Sequence, residues 1–297
     1  MPQLPGHVAL VESGPRNTLP HAPPLATEAR VSLVERLVQA GLRDLVVAGG
    51  EDLTPLAPGS EGAPLLDRLP RHPEVRYSLI VDDLATLEDS LAAGPAEITV
   101  RADGTDAAAR RRHGGDVEDG LRRLEPVALL AAEHGVRLRG QLTGVVHCPD
   151  AGPVGPHQVA DLCGELLNLG CFEVSLGDRN GAGEVTGWLA LWDLCAARIG
   201  PDRLAVRLRA GWSGALACLD ALLPRGLQTV DTSVGGLGPD GLLGTEDVAA
   251  HLAALGVTTG VDRDLLVETA WWLGGHLGQA PLSRVSRAEG PHHRLAD

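Results

Sequence analysis

Two arginines, Arg207 and Arg209, stand two residues apart in the run Leu-Ala-Val-Arg-Leu-Arg-Ala-Gly-Trp at 204–212. If that run is a strand, positions i and i+2 face the same side and both guanidiniums point into one space. At an effective dielectric of about 20 they would repel by about 4 kcal/mol at 4 Å, so anions must lie nearby. Glu12, Asp178 and Asp231 are the candidates within the chain. Two arrangements satisfy this requirement. Either these acids neutralise the arginines internally, or a small anionic metabolite completes the balance. In the second case Arg207, Arg209, Arg16 and Arg179 grip a carboxylate or phosphate through paired hydrogen bonds, with Asn17 and Asp231 beside them. Arg16, Arg101, Arg179, Arg207 and Arg209 all fall at or just beyond the ends of strand-like segments, which favours the second arrangement.

Composition removes several chemistries. All 25 basic residues are arginine, so no side-chain amine exists to form a Schiff base, and lysine-dependent aldolase chemistry is excluded. A formal net charge of −14 argues against nucleic acid as a partner. The five cysteines form no Cys-x-x-Cys pair and fit reduced thiols of a cytoplasmic protein. The N-terminus lacks a basic region followed by an apolar signal stretch, and no apolar run is long enough to span a membrane. No cofactor is expected.

The elements that must position these residues alternate along the chain. Strands are predicted at 7–12, 44–48, 76–81, 97–101, 137–143, 171–176, 203–209 and 228–233. Amphipathic helices fall between them, the first beginning at Thr27 with Val31, Val34, Leu37 and Val38 on one face and stopping at Gly41. Further helices are read at 83–93, 116–134, 156–169, 184–198, 213–223 and 245–255. Eight βα units predict a (β/α)8 TIM barrel in a single domain, with the barrel at about 7–260 and a C-terminal helical segment and tail at 261–297. Two loops, 51–64 and 102–116, interrupt the rhythm and either cover the mouth or wander over the surface. Arg110 to Arg112 read as a solvated run, helix capping explains at least one of Asp82 and Asp83, and the tail from Ala288 is expected to fray. Trp188 and Trp192, at i and i+4, suit the core or the interface of a homodimer.

Several strand ends resemble those of 3-hydroxy-3-methylglutaryl-CoA lyases. Glu12-Ser-Gly-Pro-Arg16 is similar to that family's first-strand signature, Arg139-Gly140 with Cys148-Pro149 to its fifth, and Ser175-Leu-Gly-Asp178 to its sixth. Asp231-Thr-Ser-Val-Gly-Gly-Leu-Gly238 and Thr245-Glu-Asp247 resemble its eighth strand and the following helix start. The resemblance implies a carbon–carbon lyase with a divalent metal held by an acid after the signature arginine, two strand-seven histidines and an asparagine near the eighth helix. Here the acid is Asn17, the histidines align with Arg207 and Arg209, and the loop that would supply the asparagine and a catalytic cysteine shortens to 239–244. A strand-two glutamate aligns with Val46. Arginine cannot become a ligand and its charge repels a divalent cation, so the family metal site is not expected to be intact.

What survives is Arg16, to which the resemblance gives stabilisation of an enolate, and Asp178. One reading is therefore a metal-independent lyase or enolising enzyme acting on a small anionic carbonyl compound or hydroxy acid. Arginines would stand in electrostatically for the metal, and Asp178 or His147 would move the proton. His147 in Val-Val-His-Cys-Pro-Asp also reads as an incidental loop histidine, and Cys148 as a buried small side chain. The alternative is a pseudoenzyme that binds a metabolite or protein partner. A third reading keeps a metal through His147, Asp178 and Asp231.

Overall fold

The computed structural model describes residues 4–17, 25–49, 62–210, 214–238 and 241–290. Eight parallel strands close into a barrel: β1 Ala9–Glu12, β2 Asp44–Gly49, β3 Arg76–Val81, β4 Glu97–Asp103, β5 Arg137–Thr143, β6 Val174–Gly177, β7 Leu204–Arg207 and β8 Thr229–Thr232. They pair in chain order, and β8 closes on β1 with Glu12 opposite Thr232. The expected (β/α)8 TIM barrel is therefore the fold. Helices such as Thr27–Gln39, Pro156–Asn168 and Val185–Ile199 cover the outside, their buried leucines and valines packed on the outward faces of the strands. Among the described residues no helix is long and apolar enough to cross a membrane.

The barrel interior is divided. A small apolar cluster of Val11, Val46 and Ile80 fills the side formed by β1 to β3. On the other side the inward positions are polar and buried: Thr99, Arg139, Gln141, Ser175, Arg207 and Asp231. Such groups are stable inside a barrel only if they satisfy one another, because each carries a desolvation penalty that bonding must offset.

Several boundaries move from their sequence expectations. β6 begins at Val174 rather than 171, and β7 ends at Arg207, leaving Arg209 in an isolated antiparallel bridge with Leu242. The 102–116 loop holds a helix, Asp106–His113, capped by Thr105, whose side chain accepts from Ala108 N. Arg112 on that helix is not a solvated residue: it bonds Asp103 at 2.8 Å and the Thr143 hydroxyl at 3.0 Å. Asp83 caps Leu84–Leu91, as read, while Asp82 pairs with Arg101. Within the 51–64 loop, 51–61 lies outside the described residues and a helix starts at Gly62.

The C-terminal segment is tied down rather than frayed as far as Glu289. Helix Arg284–Glu289 is held by Asp247, which accepts from Ser283 Oγ (2.8 Å) and Val285 N (2.9 Å), and by Glu246, which accepts from Ser286 Oγ (2.5 Å). The remaining tail, 291–297, lies outside the described residues. Trp188 and Trp192 are both buried in the core, with Trp192 Nε1 donating to Arg225 O at 3.1 Å.

Candidate active site

Inside the barrel, β5 to β8 share one buried chain of alternating charges, which runs from Glu173, just before β6, to Arg207 at the end of β7. Arg139 on β5 lies between two acids. Its Nη1 and Nη2 donate to Asp231 at 3.2 and 2.7 Å, and its Nε donates to Glu173 at 2.7 Å. These two carboxylates more than offset its burial and hold its pKa above the ordinary arginine value. Ser175 Oγ donates to Asp231 at 2.8 Å, and Arg207 reaches the same carboxylate at 3.9 Å. With its carboxamide oxygen facing β7, Gln141 accepts from Arg207 Nε at 3.0 Å and Nη1 at 2.9 Å. Arg207 is thus fixed from two sides and is only 7% exposed.

Of the three acids expected to balance the arginines, Asp231 does so directly. Asp178 accepts instead from the backbone amides of His147 (2.9 Å) and Gly183 (2.5 Å). A side chain at Gly183 would place its Cβ 2.6 Å from that carboxylate, so only glycine permits the approach. Burial raises the Asp178 pKa above the usual carboxylate range, against the lowering pull of these amides. Glu12 accepts from Gly14 N (2.6 Å), Val234 N (2.9 Å) and the Thr245 hydroxyl. Complete burial pushes its carboxyl up to about 7.

The other predicted residues divide between the mouth and its rim. His147 is half-buried, with Nδ1 3.5 Å from Asn180 Nδ2, and its backbone links it to Asp178. Arg16, half-buried, lies in the short helix Gly14–Asn17, and its charge helps hold the Asp82 pKa low. Arg209 is half-buried, its Cβ against the backbone of Gly181 in the loop after β6. Arg179 pairs at 3.4 Å with Asp150 beside the hairpin His147–Cys148/Gly152–Pro153. The side chain of Asn17, expected beside the bound anion, lies outside the described residues. Cys148 is buried, accepting from the Thr105 hydroxyl at 3.3 Å.

Sequence reasoning missed Arg139, Gln141, Ser175 and Glu173 as members of the buried chain. The signal was present: Arg137, Arg139 and Gln141 alternate along a strand whose neighbours are apolar.

No family model matches the chain. A hydroxymethylglutaryl-CoA lyase from Pseudomonas mevalonii is 34% identical over 291 residues, spanning 95% of this chain and 96% of that protein. The chain belongs to the hydroxymethylglutaryl-CoA lyase family. The crystal structure of the Pseudomonas aeruginosa enzyme superposes with a TM-score of 0.91 at 33% identity, over 96% of this chain and 98% of that one. An HMG-CoA lyase from Acenitobacter baumannii, 18% identical, shares the fold with a TM-score of 0.89 over 98% of each chain, and its structure is a complex with coenzyme A and 3-methylmalate.

Membership sharpens the question of the metal. Among the described residues no group of three or more His, Cys, Asp or Glu side chains is arranged to hold an ion, so His147, Asp178 and Asp231 do not form one. At the strand-seven positions where the family resemblance places histidine ligands stand guanidiniums, one of them clamped by Gln141 and Asp231. These residues do not fit the family's metal.

Proposed function

We propose that this member of the hydroxymethylglutaryl-CoA lyase family is a metal-independent carbon–carbon lyase acting on a small anionic 3-hydroxy acid or its thioester. The observation that carries the reading is Arg207, a buried and doubly held cation at the end of β7 in place of a ligand. A preorganised charge of this kind stabilises a developing oxyanion without reorganising during the reaction. A base removes the proton of the 3-hydroxyl. The C2–C3 bond breaks as C3 becomes a ketone, and the electron pair passes to C2 and the adjoining carbonyl oxygen. That enolate lies toward Arg207 and Arg16, and a proton returns to C2. Asp178 is assigned the proton transfers because its raised pKa suits an acid–base group, with His147 as its neighbour.

A second reading is favoured by one observation. The Asp178 carboxylate already accepts from two amides, an arrangement suited to a protein that binds a metabolite without turning it over. The test is incubation of chelator-treated protein with 3-hydroxy-3-methylglutaryl-CoA and shorter 3-hydroxy acyl thioesters, with ketone products read by mass spectrometry. Turnover that persists in EDTA and is lost in Arg207→Met supports the enzyme. Turnover that requires added Mg²⁺ or Mn²⁺ overturns metal independence, and saturable binding with no cleavage of any member supports the binding protein.

A further inference from the structure

Away from the buried chain of β5 to β8, the ends of β3 and β4 open onto a second cationic space. A cavity of about 250 Å³ lies under helix Asp106–His113 and against helix Val117–Glu133, walled by Asp82, Arg101, Asp103, Arg112, His113 and Arg123. Both carboxylates are already engaged. Asp82 takes Arg101 through two hydrogen bonds, one of them Nε to Oδ1 at 2.8 Å, and Asp103 takes Arg112 at 2.8 Å. The wall therefore has one more cationic group than its acids account for, Arg123, with the His113 ring beside it. Arg122, the neighbour of Arg123, is paired with Glu118 and Asp119, whereas Arg123 makes no ion pair among the described residues.

The space is built to hold these groups. The His113 imidazole lies against Gly120, where an added Cβ would sit 2.9 Å from Nε2, and its Nδ1 accepts from Gly115 N at 3.3 Å. With Nδ1 accepting, the ring proton belongs on Nε2, which makes that nitrogen a donor. The cavity also has an entrance. A solvent-open recess of about 480 Å³, lined by Gly115, Asp119 and Arg122, shares His113 and Arg123 with it. The loading with cations is felt by Arg112, whose pKa is lowered chiefly by burial and further by Arg101 and Arg179.

We propose that the cavity between the β3 and β4 ends and helices Asp106–His113 and Val117–Glu133 binds a phosphoryl group, with Arg123 and His113 as its principal donors. A carboxylate has two oxygens, which one guanidinium fork satisfies. Here donors come from two different helices, His113 from the first and Arg123 from the second, which suits an anion with three acceptor oxygens and up to two charges. The phosphoryl group is either the free ion or the tail of a larger ligand entering through the recess. The assignment is independent of the reaction proposed at β7, since it is read by binding and must persist in Arg207→Met.

The test is calorimetric titration of the full chain with inorganic phosphate, adenosine 5′-monophosphate and acetate. Saturable phosphate binding with a Kd of about 1 mM or tighter is expected. Arg123→Ala should weaken it about tenfold or more, Arg123→Lys should recover part of the loss, and His113→Asn should also weaken it. Arg225→Gln, in a distant exposed pair with Asp193, should leave it unchanged. Tighter binding of the monophosphate assigns the cavity to a ligand tail, and tighter binding of phosphate assigns it to the free ion. Arg123 is exposed, so the variant is expected to keep the wild-type circular dichroism and Tm. Binding unaffected by Arg123→Ala, acetate competing as well as phosphate, or no saturable heat would each overturn the proposal.

Discussion

Replacing each of the two buried arginines of the barrel interior, Arg139 and Arg207, by methionine, which keeps an unbranched stem and removes the charge, separates a structural cation from a functional one. Arg139→Met withdraws three hydrogen bonds and leaves Asp231 and Glu173 as buried carboxylates without their common partner. Breaking a buried pair in this way costs about 3–5 kcal/mol. Arg207→Met is milder. Asp231 keeps Arg139 and Ser175, its ion pair with Arg207 is long at 3.9 Å, and the hydrogen bonds given up include those to the Gln141 oxygen. Removing a desolvated cation offsets part of that loss, so about 1–2 kcal/mol is expected. Urea unfolding followed by tryptophan fluorescence reads both values, and both variants remain within reach of a total stability of about 5–15 kcal/mol. Equal losses would refute the reasoning. Arg207 would then be the plug of a disused site, and the proposed lyase would lose its cation.

Glu12→Gln should remove one contribution to the pH dependence of stability. Because the folded pKa of about 7 exceeds the ordinary 4.5, the contribution of Glu12 is fully present below about pH 4.5, and about 3 kcal/mol of it is lost as pH rises through 7. The unfolding free energy of the glutamine variant should therefore gain on wild type by about that amount between pH 4.5 and pH 8, and a pH-independent difference would contradict the burial argument. All five cysteines are buried free thiols, with Cys171 and Cys218 pushed up to about 12 and 11 by burial. A thiol-specific disulfide reagent should label well under one equivalent in the native protein and five in denaturant, and rapid native labelling of even one would refute the packing.

The barrel was legible because its signal is periodic: eight apolar segments, each followed by an amphipathic one, leave few other closures. Asp231 was legible only as one of three acids, with Glu12 and Asp178, that could balance Arg207 and Arg209, because spacing and charge balance narrow the candidates without choosing the partner. What the sequence hid were partnerships across the barrel. Arg139 and Asp231 are 92 residues apart, and nothing local says that one chelates the other. The same holds for Arg112, whose neighbours Arg110 and Arg111 make it look like a solvated triplet. Only the turn that places helix Asp106–His113 over β4 brings it to Asp103. Asp178 shows the opposite limit. Its place at a strand end was evident, but its commitment to two loop amides depends on the backbone path from Gly177 to Gly183.

The pattern of replacement itself bears on whether the site has decayed. The family resemblance sets a divalent ion on the acid after the signature arginine, two neutral histidines and an asparagine, and it places a second carboxylate, a glutamate, on strand two. In this chain the carboxylates give way to Asn17 and Val46, and the histidines to Arg207 and Arg209. Two negative charges vanish and two fixed positive charges appear where the ion's charge would have been. Unselected loss has no reason to insert cations, because each added guanidinium carries a desolvation penalty unless a partner receives it. The fold accommodates one of them with care, giving Arg207 the oxygen of Gln141 and a share of Asp231. Packing alone could have been met by a leucine at that position, as at Leu208 next to it, which is also buried. A charge retained at the mouth of a barrel, at the cost of a dedicated polar partner, is the arrangement expected where an anion is still to be bound.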